Sequence, residues 1–166
     1  MALNLSRLQK AVEKDRITLK PKSLSPNLKY VEKEDPRPST FFNTSNYVYW
    51  LAFHDSEIVK IGSTSDYRTR FTSLNNYHCN NLGPVDFENT VLFKCKPYIH
   101  QEFVETQIHL TLLDNGLSTP INGEGGSEFF TFDNREQAIE MFEYIKTLDY
   151  FTAHRFLSDL YPQGEF

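Results

Sequence analysis

The 166-residue chain predicts an α+β fold, a small, mainly antiparallel sheet flanked by helices. Three observations carry that expectation. Two short runs rich in strand formers, YVYWLAF and EIVKIG, flank a polar turn that opens at His54, as a hairpin requires. The segments that follow repeat apolar residues at intervals of three and four between capping residues, the pattern of amphipathic helices. A third alternating run, FENTVLFKC, comes only after the first of those helices, so strands and helices are interspersed around one sheet.

Composition bounds the rest. The length suits one ordinary domain with a sizeable core. Hydrophobic content of 39% marks a globular rather than a disordered chain. No apolar run approaches the roughly 18 to 20 residues that a membrane span needs, so no membrane role is expected. The start, MALNLSRLQKAVEKDR, has no apolar block after a basic opening, which predicts an intracellular protein, cytoplasmic or nuclear. Cys79 and Cys95 make no disulfide framework there and read as small hydrophobes. Together with His78 and His100 they are a candidate zinc set, without the C-x2-C pair that holds the metal in a local loop.

The formal charge of −5 is uneven: residues 1–38 hold nine Lys/Arg against five Asp/Glu, and residues 39–166 hold eight against seventeen. An acidic body argues against a protein that coats nucleic acid through general phosphate neutralisation, but not against a local basic site.

Leu5, Leu8 and Val12 share one face of a short N-terminal helix. TLKPKSLSPNLKYVEKEDPRPST follows, with four prolines and many charges, and reads as an extended linker. The hairpin opens the domain proper near Phe41. Ser65 and Asp66 offer caps to a helix that carries Tyr67, Phe71 and Leu74. After the third strand, a helix from about Pro97 to Leu113 turns Ile99, Phe103, Ile108 and Leu112 to the core and stops at Asp114-Asn115-Gly116. INGEGGSEFFTF leads into a short strand, Asp133-Asn134 caps a helix running to about Leu148, and a last short helix spans about 150–160. The order within the domain is β-β-α-β-α-β-α.

An even-membered hairpin loop sets the register. With His54-Asp55 as the loop, Tyr49 faces Lys60; with His54 to Glu57 as the loop, Tyr49 faces Gly62 and Leu51 faces Lys60. Both registers put Tyr49, Lys60 and Gly62 on one sheet face: a phenol, an ammonium and a patch of bare backbone that a ligand can approach. Tyr47 shares that face.

Y-V-Y, then Lys60-Ile61-Gly62 eleven residues past Tyr49, then Arg70 on a helix and Glu105 on the next long helix, form a pattern that resembles the GIY-YIG endonuclease superfamily. The closest likeness is to its phage and large-virus branch, whose second motif commonly reads K-I-G. The likeness extends to Arg70-Phe71-Thr72-Ser73-Leu74-Asn75, to Glu105-x3-His109 and to Glu128-Phe129-Phe130, and covers about residues 46–132. Two departures stand out. Asn46 stands where the first motif usually starts with glycine, and Lys60 replaces the second tyrosine. The asparagine that many members carry near the end of the domain has no counterpart, with Glu128 as the substitute.

The resemblance implies a nuclease domain around a three-stranded, mainly antiparallel sheet over 41–133, between a basic arm and linker over 1–40 and acidic C-terminal helices over 134–166. It implies hydrolysis of DNA phosphodiesters, including branched or single-stranded DNA, with Mg²⁺ or Mn²⁺. Tyr49 would act as general base or water-positioning phenol, with Lys60 beside it favouring phenolate. Arg70 would grip non-bridging phosphate oxygens, Glu105 would hold the metal, and Gly62 would let the backbone approach. His109, one turn after Glu105, joins the set as a catalytic candidate. Tyr47, Arg68 and Glu128 are accessory candidates, and Tyr67, His78 and Trp50 read as packing residues. The basic arm, with Arg7, Lys10, Lys14, Arg16, Lys20 and Lys22, could track a phosphate backbone. The alternative is a weak or inactive module on the same fold, using its acidic body to bind a protein partner such as a host factor met by a phage or viral protein.

Overall fold

A computed structural model describes residues 3–13, 46–96, 101–121, 128–148 and 150–166. The expected linker, the 40/41 boundary, Ile99, His100, the Phe103 side chain and the glycine-rich turn at 122–127 lie outside them. The strands are β1 (Tyr47–Ala52), β2 (Val59–Thr64), β3 (Val91–Cys95), β4 (Phe129–Phe130) and β5 (Phe151–Phe156). The helices are α1 (Ser6–Glu13), α2 (Tyr67–Leu82), α3 (Gln101–Asp114), α4 (Arg135–Thr147) and α5 (Leu157–Leu160).

One antiparallel sheet runs in the order β4-β2-β1-β3-β5. The α+β class stands, but among the described residues the sheet has five strands. The expected hairpin and third strand form its centre, the short strand expected at the end of INGEGGSEFFTF is the edge strand β4, and β5 adds the other edge. The segment expected as a closing helix over 150–160 is mostly β5, paired with β3, and only its last four residues are helical. Cross-strand pairing overrides local preference there.

Side-chain alternation sends two cores to the two faces. Val48, Trp50, Val59, Ile61, Val91 and Phe93 pack under Val104, Ile108 and Leu112 of α3 and Met141 and Ile145 of α4. Leu8 and Ala11 of α1 join that core, with Leu5 and Val12 at its margin. The start of the basic arm is thus built into the body, and Arg7 pairs with Asp114 at the end of α3 (Nε to Oδ2, 2.7 Å). On the other face, Tyr49, Leu51 and Leu92 pack with Phe71 and Leu74 of α2 and with Phe129 and Leu157.

The helix boundaries follow from capping. The Asp66 carboxylate accepts from the Thr69 amide at the start of α2, and Asn134 Oδ1 accepts from the Gln137 amide at the start of α4. At the far end of α2, Gly83 takes φ +81°, and any Cβ there would meet the Asp55 carboxylate at 2.7 Å. Among the described residues, no helix is long and apolar enough to cross a membrane.

Candidate active site

The hairpin adopts the longer-loop register: Tyr49 faces Gly62 and Leu51 faces Lys60. β4 pairs only with Val59 and Lys60, so among the described residues no strand covers that edge of β2 from Ile61 onward. Side chains from both sheet faces meet at the uncovered edge. They line a polar cavity of about 410 Å³, with Tyr49, Arg70 and Glu128 joined by Ser63, Glu105 and His109.

Gly62 lets the phenol reach that edge. A Cβ at residue 62 would lie 2.5 Å from Tyr49 Cζ and 3.0 Å from Cε2, so the ring occupies the space a side chain would take. Phe71 braces the ring edge-on, with centroids 5.1 Å apart. Lys60, wholly buried, donates from Nζ to Tyr49 Oη at 3.0 Å and forms an ion pair with Glu128. A buried ammonium needs both partners, because unpaired charge in the interior is costly. The result is a continuous chain from phenol through ammonium to a carboxylate whose side chain is 30% exposed.

Glu105 enters from α3 and accepts from Ser63 Oγ at 2.5 Å. Burial pushes its carboxyl up to about 7, and the neighbouring Glu128 adds to that rise, while the Ser63 hydrogen bond and the Lys60 charge oppose it. The half-buried His109 ring lies 5.2 Å from that of Phe130, and its Nε2 donates to the Ile61 carbonyl at 2.5 Å. A carbonyl only accepts, so in the neutral ring Nε2 carries the proton and Nδ1 the lone pair. Burial lowers the His109 pKa and favours that neutral form. Nε2 lies 3.8 Å from Glu105 Oε1, one helical turn back.

Tyr49, Arg70, Glu105, His109 and Glu128 therefore share one cavity, with Lys60 and Gly62 behind the phenol. Tyr47 and Arg68 lie outside it, lining a neighbouring groove with Asp66, Tyr67 and Tyr161. Tyr47 packs edge-on to Tyr67, Trp50 stacks on Phe132, and His78 is buried beside Phe53 and Phe129. Sequence reasoning missed Ser63 as the hydrogen-bond donor to Glu105. Glu102 and Thr106 also line the cavity. Of the zinc candidates, Cys95 is buried on β3 with its thiol pushed up to about 12 by burial, and Cys79 sits half-buried on α2.

The donor chemistry at Glu105 suits a hard cation. Two carboxylates, Glu105 and Glu128, with the Ser63 hydroxyl beside them, are oxygen donors of the kind Mg²⁺ and Mn²⁺ take. Among the described residues, no group of three or more His, Cys, Asp and Glu side chains is arranged to hold a metal. A magnesium site needs no such cage, since the ion keeps several waters and binds through one or two carboxylates and substrate phosphate.

In comparisons with known proteins, the model of the T5orf172 domain family matches residues 45–146, more than half of the chain. No curated protein and no solved structure matches.

Proposed function

The chain belongs to the T5orf172 domain family, and on that premise we propose that it is a metal-dependent endonuclease of GIY-YIG type, hydrolysing phosphodiester bonds in DNA. One observation carries the reading: Tyr49, Arg70, Glu105 and His109, from one strand and two helices, line a single polar cavity at an open sheet edge. The family match spans all four, and a nuclease-like domain that binds DNA accords with it.

Phosphodiester hydrolysis needs an activated water, charge stabilisation at the phosphate and help for the leaving oxygen. Lys60 donates to the Tyr49 oxygen, which fixes the phenol and leaves its own proton to orient the attacking water. Neutral His109, held through Nε2 by the Ile61 carbonyl, offers Nδ1 as a second proton acceptor. Arg70 supplies a forked set of donors for non-bridging phosphate oxygens. Glu105, with Glu128 beside it, would hold Mg²⁺ or Mn²⁺. The bound ion would supply Lewis-acid stabilisation of charge on the phosphate.

The test is a Mg²⁺ and Mn²⁺ titration of cleavage on plasmid, branched and single-stranded DNA, with Glu105→Ala and Arg70→Ala alongside. Metal-dependent cutting that disappears in both variants supports the enzyme. Substrates left intact by the wild type, with tight capture of a protein instead, would support the binding module.

A further inference from the structure

In a chain of net charge −5, α2 carries no Asp or Glu across its length, while it carries Arg68, Arg70 and four asparagines. Phe71, Leu74, His78 and Leu82 turn to the core. The opposite face is a stripe at helical spacing, and Thr69, Thr72, Ser73, Asn76 and Tyr77 line a shallow groove along it. Tyr77 is 52% exposed. Its ring is nonetheless anchored, edge-on to the buried His78 with centroids 4.7 Å apart, so it is held in place with surface left open to solvent.

Arg70, Ser73 and Tyr77 follow one flank of the helix, three and seven residues apart. The helical rise puts Tyr77 about 10 Å along the axis from Arg70, roughly the span of three stacked nucleotides. Hydroxyl and amide side chains are regular phosphate and sugar contacts, and an anchored open aromatic is a stacking platform for a base that is not paired.

We propose that this face of α2 is a track for single-stranded nucleic acid leading from the cavity, with Ser73 and Asn76 on the backbone and Tyr77 stacked on a base. The proposal rests on the nuclease reading of the cavity and adds the form of its substrate. A duplex offers no free base face at Tyr77, so the preference is for an unpaired segment.

The experiment is fluorescence anisotropy of a labelled oligo-dT and of a labelled duplex of equal length, in Ca²⁺ buffer. It compares the full-length wild type with Tyr77→Ala, Tyr77→Phe, Asn76→Asp and Glu105→Gln. The proposal expects tighter binding of oligo-dT than of duplex, about tenfold weaker oligo-dT binding by Tyr77→Ala, and near-native binding by Tyr77→Phe. Asn76→Asp should weaken binding at low salt and less so at high salt. Thermal melting of each variant checks that the half-exposed position has not unfolded the domain. Equal binding by wild type and Tyr77→Ala, a preference for duplex, or no oligo-dT binding by the wild type overturns the track. Cleavage separates the two claims: cutting indifferent to Tyr77 leaves the nuclease and removes the track, whereas Tyr77-dependent binding without any cutting keeps the track and removes the nuclease.

Discussion

The Tyr49 ring crosses Gly62 so closely that a methyl group on residue 62 would sit 2.5 Å from Tyr49 Cζ. The sheet register sets the two directly opposite, and Phe71 braces the ring from α2. Gly62→Ala must therefore push the phenol off its Lys60 donor or shift the strand. It should cost about 1–3 kcal/mol in urea unfolding, as overpacking does, and lower cleavage at least tenfold. A variant with native stability and native rate would mean that the phenol has room the packing does not show.

The Lys60 ion pair makes a second prediction. Lys60 is fully buried and Glu128 partly exposed, so Glu128→Ala strands an ammonium in the interior and should destabilise by about 2–4 kcal/mol. Adding Lys60→Met should recover much of that loss, because the double variant buries no unpaired charge. Simple additivity of the two losses in a double-mutant cycle would show that the pair is not coupled in solution.

Much of this arrangement was legible in the sequence because it follows from short-range periodicity. The strand alternation around Tyr49 and Lys60 fixed their common face, and the spacing of Phe71 and Leu74 fixed which side of α2 is buried. The order of hairpin, helix, strand and helix followed from caps such as Asp66 and Asn134. What escaped depends on contacts distant in the chain. β5 is an edge strand with mostly exposed side chains, so FTAHRF gives little burial pattern to read, and its partner β3 lies more than fifty residues away. Ser63 joins Glu105 only because α3 crosses the open edge of β2, a fact no local pattern holds. Arg68, two residues before Arg70, projects from a different flank of the helix and lies outside the cavity, which follows from the 100° turn per residue.

Glu105 gives a pH dependence. Its carboxyl is raised from 4.5 to about 7, chiefly by burial. With metal chelated, the unfolded chain loses this proton at lower pH than the folded chain. The stability of the folded state should therefore fall as pH rises from about 4.5 to about 7, and stay low above that. Glu105→Gln removes the penalty. It should be more stable than the wild type at pH 8 by about 1–3 kcal/mol and nearly equal to it below pH 4.5, read by urea unfolding in EDTA. A Gln variant no more stable than the wild type at pH 8 would contradict the raised carboxyl.

The two thiols should differ in reactivity. Cys95 is buried with its thiol pushed up to about 12, while Cys79 is half-buried on α2. The thiolate is the reactive form, so a chromogenic disulfide reagent at pH 8 should label one thiol per native chain and two in denaturant. Fast labelling of both in the native state would place Cys95 outside the core.

The most direct test of the shared cavity is the single-turnover rate of Mg²⁺-dependent DNA cleavage by the wild type, Tyr49→Phe and Arg70→Ala, each shown to be folded by thermal melting. The phenol and the guanidinium reach the cavity from different elements, so the account predicts that each substitution alone lowers the rate by about 10²-fold or more. A rate within a few-fold of the wild type in either variant would contradict it.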